Sequence, residues 1–533
     1  MNSDFCRTIR TVTPHKRRSR PEREHPARKD RPVLKDILKG AGTDALKYFP
    51  VRLVPALTSL VTVPVFTRMI TREDYGDFYL VNSAVSLVGL LFSSWLTNSI
   101  VRFYWTEEKK GRRDSYVATV LWSSVLSLGI GAAILGVAVL TLGGLFGSGL
   151  RHLMPVALAS LILGQFIQIM QQLMRAANRA RTFATLSISS ALLSTALSVT
   201  FVWAFRWGAF GILAGLALGN LLLLPFALRN ARSEGSLSPT HYSTDTLREF
   251  AVYGVPMIPA AISSWVLVLS DRYVIGLSQS AADVGLYGTA YGLGDKIMGL
   301  ITAPLLIAIA PVLVQTFEKR GQELAQQVQT QLTRYYAMVT VPLVFGLTVI
   351  ARPFMEIFTG PLYREAYPIL PVVAAGVMLY GMTQIANNGL AMHKKSVIMM
   401  RNTVVAAAFQ VVLNLALVPR FGYAVAAWST LAAYLLLLVL AAVRSRPYMA
   451  WRVPWADLGR IGASSAVMAT ALIAAFRWFP ASLWMLLVQA LAGIVIYTLT
   501  LWAAGGFRPD ELAFAREMVT TARSRVSRRR RDS

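Results

Sequence analysis

Apolar residues fall into runs of about 20 along the chain, each closed by a short cluster of charged or polar positions. A run of that length matches the ~30 Å hydrocarbon core of a bilayer when wound at 1.5 Å per helical residue. It predicts spans near 44–70, 78–103, 115–142, 153–174, 183–205 and 208–229. A polar stretch from Ser233 to Thr246 then interrupts the series. A second set follows near 248–277, 285–316, 332–352, 367–392, 398–419 and 422–443, with two more near 459–479 and 482–504. The pattern predicts an all-α polytopic membrane protein of about 14 transmembrane helices.

Composition agrees. Of the 533 residues 55% are hydrophobic and only 15% charged, with a mean hydropathy of +0.50. Soluble domains carry roughly 25% charged residues, so soluble enzymes and nucleic-acid-binding domains are excluded. The formal net charge of +26 is a matter of placement. Residues 1–40 and 506–533 are basic and read as cytoplasmic tails, the first disordered. In the loops, 21 Lys and Arg fall on one side of the spans and nine on the other, in phase at every loop. The positive-inside rule then places both termini in the cytoplasm. The single cysteine, Cys6, rules out an intrachain disulfide, and the five histidines are scattered without metal-ligand spacing. There is no phosphate-cradling glycine loop. Neither a metal nor a cofactor is implied.

The two six-span series resemble each other in their loops. Asp74-Tyr75-Gly76 and Asp283-Val284-Gly285 are offset by 209 residues. Arg206-Trp207-Gly208 and Arg420-Phe421-Gly422 are offset by 214, as are the basic clusters Arg179–Thr182 and His393–Ser396. Six helices is an even number, so both copies enter the membrane in the same sense, as a parallel repeat around a central cavity. The organisation expected is an N-lobe at 41–232, a linker at 233–247, a C-lobe at 248–444 and two further helices within 445–505.

The segment VTVPVFTRMITREDYGDFYLVNSAVSLVGLLFSSWLTNSIVRFYW (61–105) resembles the opening of Wzx-type polysaccharide flippases. So does AVYGVPMIPAAISSWVLVLSDRYVIGLSQSAADVGLYGTAYGLGDKI (251–297), at the start of their second half. The resemblance spans roughly residues 42–505, and the two hairpins with Asp271-Arg272 are its more specific parts. It implies a MATE-like fold and a bacterial inner-membrane location. It also implies translocation, by alternating access, of an undecaprenyl-diphosphate-linked oligosaccharide for polysaccharide biosynthesis. A polysaccharide polymerase and export machinery would be partners, alongside membrane lipids.

Such a substrate needs fixed cations for its diphosphate, because an unpaired buried charge is costly. Lys296 lies deepest, about eleven residues into the eighth span, roughly 16 Å from its outer end. It is a diphosphate ligand or half of an internal Lys–Asp pair that fixes helix packing; neighbours on a helix point some 100° apart, so Asp295, beside it, need not be the partner. Arg272 is placed to grip a diphosphate bidentately or to pair with a loop acid such as Asp283. Arg52 and Arg102 stand at inner span ends, either receiving phosphate or snorkelling to headgroups. Asp271 and Asp295 are the acids well within spans that a coupling proton or ion would use. Asn82, Asn98, Gln165, Gln168, Gln384, Asn387, Asn388, Gln410 and Asn414 would form polar walls for the glycan or interhelical hydrogen bonds. Prolines 50, 55 and 64, 256 and 259, and 304 and 311 are candidate hinges. The nearest rival is a MATE-like multidrug or cation antiporter, which would prefer an acidic, aromatic cavity. A membrane enzyme needs a sizeable outer loop bearing catalytic carboxylates or histidines, and the outer loops here are short.

Overall fold

The computed structural model describes residues 53–54, 57–58, 60–142, 149–476, 478–509 and 511. Among them, 13 helices are long and apolar enough to cross a membrane, and a shorter apolar helix, α1 (Leu60–Met69), belongs to the first predicted span. The first half follows as α2 (Arg72–Lys109), α3 (Arg113–Leu142), α4 (Gly149–Ala176), α5 (Ala180–Ala204) and α6 (Gly208–Arg232). The second comprises α7 (Thr244–Gly254), α8 (Ile258–Ser278), α9 (Ala281–Arg320), α10 (Gln322–Phe358), α11 (Ile369–Met392), α12 (Ser396–Phe421) and α13 (Val425–Ser445). Helices α14 (Trp455–Phe476) and α15 (Leu483–Ala503) close the series and lean on α10.

The repeat is visible in caps, turns and packing. Thr71 Oγ1 accepts the Asp74 N–H at 3.2 Å and starts α2; Ser280 Oγ accepts the Asp283 N–H at 3.2 Å and starts α9. These N-caps preserve the offset of 209. Helix α4 packs on α2, α3 and α6, and its counterpart α11 packs on α9, α10 and α13. The turns after them are also the same. Asn178 and Lys394 both adopt a φ of 57°. The bonds Asn178 N–H to Arg175 O (3.1 Å) and Arg179 N–H to Met174 O (2.9 Å) recur as Lys394 to Ala391 (3.0 Å) and Lys395 to Leu390 (2.9 Å). The offset at this turn is therefore 216, two more than the basic clusters suggest. Exposed basic residues exchange places freely, whereas a left-handed turn has one position for its positive φ.

The seventh predicted span is broken. A 3₁₀ turn at Val255–Met257, containing Pro256, separates α7 from α8, as expected where proline removes a helical donor. Both legs pack on α2, and their other neighbours differ. Phe250 of α7 is fully buried against Phe103 and Tyr116, and Ser99 Oγ donates to the Phe250 carbonyl at 2.9 Å. Helix α8 packs on α12 as well as on α2. Thus one polypeptide segment leans on both lobes. Pro304 and Pro311 lie inside an unbroken α9, Pro64 lies in α1, and Pro50 and Pro55 fall outside the described residues.

The linker is tied down by Glu234, whose fully buried carboxylate meets Arg113, Arg179 and the Tyr104 hydroxyl. The linker end carries residues 233–243, and the hairpin end carries Thr71 and Ser280.

Candidate functional site

Helix α9 runs between the lobes, packing on α2 of the first and on α10 and α11 of the second. From Val284 to Gly294 it is almost wholly buried. At Asp295 and Lys296 it emerges, and both side chains are exposed. Lys296 is 15 residues from the helix start, roughly 22 Å along the axis. A Cβ placed on Gly299 would meet nothing within 4 Å, so the space beside this stretch is open. Hydrocarbon would cost such charges several kcal/mol, which argues for an aqueous gap between the lobes beside this stretch. Lys296 and Asp295 form no ion pair with each other among the described residues, although Asp295 lies within electrostatic reach of Lys296 and Arg272.

Polar residues of α4 and α11 occupy matching positions. At the structural offset of 216, Gln168 answers Gln384, Gln171 answers Asn387 and Gln172 answers Asn388. Gln168 and Gln384 are both exposed in the midst of their helices. The Gln172 Oε1 and Asn387 Oδ1 atoms are buried without a partner. Asn388 Nδ2 spends its hydrogen bonds on the Gln384 and Ile385 carbonyls, at 3.0 and 3.2 Å. Gln165 behaves otherwise: its Oε1 accepts from Ser93 Oγ at 2.8 Å, bridging α2 and α4. It is an interhelical clasp, not an open wall.

Arg272 is not in the gap, and its partner is not Asp283, which instead takes the Ser280 hydroxyl. The Arg272 side chain is 5% exposed and pairs with its neighbour Asp271 at 3.1 Å. Its guanidinium sits 5.1 Å from the Tyr291 ring centroid and 5.9 Å from that of Tyr79, which belongs to the opposite lobe. Fully buried Asp271 also accepts the Tyr287 hydroxyl. Close by in the same lobe, Gln410 Nε2 donates to Thr430 Oγ1 at 2.9 Å, and Thr430 is within hydrogen-bonding reach of Tyr287. Gln410 and Asn414 are fully buried, so neither lines an open wall. Gln410 Oε1 and both polar atoms of the Asn414 amide lack partners. The tyrosines and Thr430 were not singled out by sequence reasoning. The spacing of Tyr287 and Tyr291, one helical turn apart, is the signal that could have found them.

Of the remaining candidates, Arg102 is exposed toward the linker end with its guanidinium 5.8 Å from the Phe103 ring, Asn98 and Asn82 are exposed, and Arg52 lies outside the described residues.

The gap is sealed at the hairpin end. A Cβ on Gly76 would sit 1.8 Å from the Ala281 carbonyl oxygen, and one on Gly285 would sit 2.3 Å from the Arg72 carbonyl oxygen and 3.1 Å from the Gly76 nitrogen. The two glycines are the repeat-related pair of the hairpins, so the lobes meet backbone to backbone across them. Gly360 presses on Thr67 in the same way. Arg72 and Glu365 pair at 2.7 Å, the Tyr363 hydroxyl donates to the Thr71 carbonyl at 2.9 Å, and the Tyr273 hydroxyl donates to that of Leu80 at 3.2 Å. Toward the linker end Val101 and Trp105 of α2 and Ile307 and Val314 of α9 are exposed.

A family profile described as "Polysaccharide biosynthesis protein" matches residues 43–317. The chain is 23% identical over 351 residues to the succinoglycan biosynthesis transport protein ExoT of Rhizobium meliloti, covering 63% of this chain and 64% of that one. It is 23% identical over 290 residues to the probable low-salt glycan biosynthesis flippase Agl15 of Haloferax volcanii, covering 54% and 60%. The matches thus span 60–64% of the length of these curated relatives. In fold it is similar to a lipid II flippase MurJ in an inward closed conformation, with a TM-score of 0.69 at 14% identity over 85% of this chain and 97% of that one. An inward-facing multidrug resistance MATE family transporter matches with a TM-score of 0.59 at 14% identity, over 76% and 94%. The fold is therefore that of the MATE-like carriers.

Proposed function

The chain belongs to the polysaccharide biosynthesis protein family, and on that premise we propose that it is a flippase for a lipid-linked oligosaccharide. In the finer reading, the lipid is an undecaprenyl diphosphate, carried from the cytoplasmic to the outer leaflet of a bacterial inner membrane. The observation that carries this reading is Lys296, an exposed cation in the middle of α9. It opens onto the same interlobe gap to which we assign Gln168 and Gln384. A fixed cation at that depth offsets the desolvation of a diphosphate, and amides supply donors and acceptors for sugar hydroxyls. The polyprenyl chain stays in the bilayer. The reading is of a carrier, not an enzyme.

Alternating access supplies the cycle. The lobes touch through backbone at the hairpin end, while toward the linker end the α7 leg presses on α2 and side chains of α2 and α9 are exposed. Charge bias assigns the linker end to the cytoplasm, so this arrangement would receive substrate from the inner leaflet. Buried Asp271 is the site at which a proton or cation would act. Taking one up loosens its hold on Arg272, whose guanidinium lies against Tyr79 of the other lobe. A polysaccharide polymerase on the outer face would take the product.

Deleting the protein is expected to make lipid-linked repeat units accumulate in the cytoplasmic leaflet while surface polymer disappears. Units that still reach the outer leaflet at the normal rate overturn the proposal. Normal polymer together with new sensitivity to lipophilic cations would favour the antiporter instead. At the residue level, Lys296→Ala should abolish export at normal protein levels and Lys296→Arg should retain part of it, as read by surface polymer and immunoblot. Full activity in both removes Lys296 from the site.

A further inference from the structure

A cavity of about 490 Å³ lies away from the interlobe gap, between the hairpin-end third of α10 and the α14–α15 pair. Helix α3, the repeat counterpart of α10, has no such helix pair against it among the described residues. The cavity therefore exists only because two helices stand outside the repeat. Leu472, Phe476, Met485 and Leu486 supply an apolar wall. Exposed Trp478, Phe479 and Trp484 ring the nearby hairpin, as aromatic side chains do at a membrane interface.

The polar groups set into this apolar wall are specific. Gln489 is 7% exposed and lies six residues into α15, roughly 9 Å below its start; its Oε1 has no partner. Pro353 interrupts the α10 ladder and leaves the Val349 carbonyl without its helical donor; both residues line the cavity. Glu356 adds a carboxylate. The exposed Arg352 guanidinium contacts it at 3.0 Å and remains open to a further anion. Besides the Ser482 hydroxyl, which is engaged in capping α15, the lining thus offers three acceptor groups (an amide oxygen, a carbonyl and a carboxylate) beside one guanidinium.

We propose that this cavity binds the headgroup of an aminophospholipid, phosphatidylethanolamine being the simplest, with its acyl chains along the apolar wall. A primary ammonium brings three N–H donors and no acceptor, which complements the three acceptors, and the adjoining phosphate reaches Arg352. A trimethylated ammonium has no N–H to give, and a glycerol headgroup has no cation for Glu356.

The test is competitive retention of phosphatidylethanolamine, phosphatidylcholine and phosphatidylglycerol by the purified full-length chain, counted by native mass spectrometry. Phosphatidylethanolamine should be retained at least about tenfold over phosphatidylcholine, the effect of one charge-assisted hydrogen bond. Gln489→Leu, which keeps the volume, should erase that preference without lowering the melting temperature. Arg352→Gln should lower retention of all three lipids. Equal retention by the unaltered chain, no retained lipid, or a preference untouched by Gln489→Leu overturns the assignment. None of these readouts depends on translocation.

Discussion

Replacing Gly285 by valine is expected to hold the hairpin end open and to cut export on the order of 100-fold. The closed arrangement leaves no room for any side chain at this position, since even a Cβ would stand 2.3 Å from the Arg72 carbonyl oxygen. That neighbour is helical backbone at the start of α2 and cannot rotate away. Overpacking a well-packed site costs about 1–3 kcal/mol, and a backbone contact belongs at the upper end. A closed state disfavoured by about 3 kcal/mol is populated roughly 100-fold less, so the carrier stalls with its outer side open. The chain has one cysteine, Cys6, so a reporter thiol is easily isolated. In a Cys6→Ser, Lys296→Cys background, an impermeant thiol reagent added outside should label only when Gly285→Val is also present. Undiminished export by Gly285→Val alone, or unchanged labelling in the reporter background, would falsify the gate. Gly76→Val should behave alike, because the two glycines are equivalent in the repeat.

The buried pair Asp271–Arg272 sets up the second large effect. Removing one member, as in Asp271→Leu or Arg272→Met, leaves an uncompensated charge among Tyr79, Tyr287 and Tyr291. Losses of about 3–5 kcal/mol are typical of such changes. Replacing both by apolar residues of similar size removes the attraction and the desolvation penalty together, and is often neutral or better. The double variant should therefore regain most of the thermal stability that each single one loses, measured by melting in detergent. It should still export nothing, because the group proposed to take up a proton or cation is gone. A double variant as unstable as the singles shows that the charges do not compensate each other. One that exports normally shows that the cluster is structural.

Much of the fold is legible before any coordinates. Span positions, the polar linker and the 209-residue offset all follow from hydropathy and from loop residues shared by the two halves, such as Asp74 and Asp283 at the capped starts of α2 and α9. The site was legible only in part. Lys296 stands out because a lone cation in a long apolar run is conspicuous. Arg272 stands out equally, yet the structure buries it against Asp271, one residue away. Adjacent residues on a helix point some 100° apart, which argues against contact until both side chains curl into one pocket. Gln165 and Gln168 share a helix face by spacing; one clasps Ser93 while the other is exposed.

The sequence by itself determined that the chain spans a membrane many times, that its halves repeat, and which residues are too polar for lipid. Each is a local property, set by the cost of placing a given side chain in hydrocarbon. Only the tertiary structure decided which polar residues are exposed within their helices, which face each other, and that the lobes meet across Gly76 and Gly285. Those are properties of pairs separated by hundreds of residues. Their contacts depend on how two lobes meet, and no local hydropathy pattern encodes that meeting.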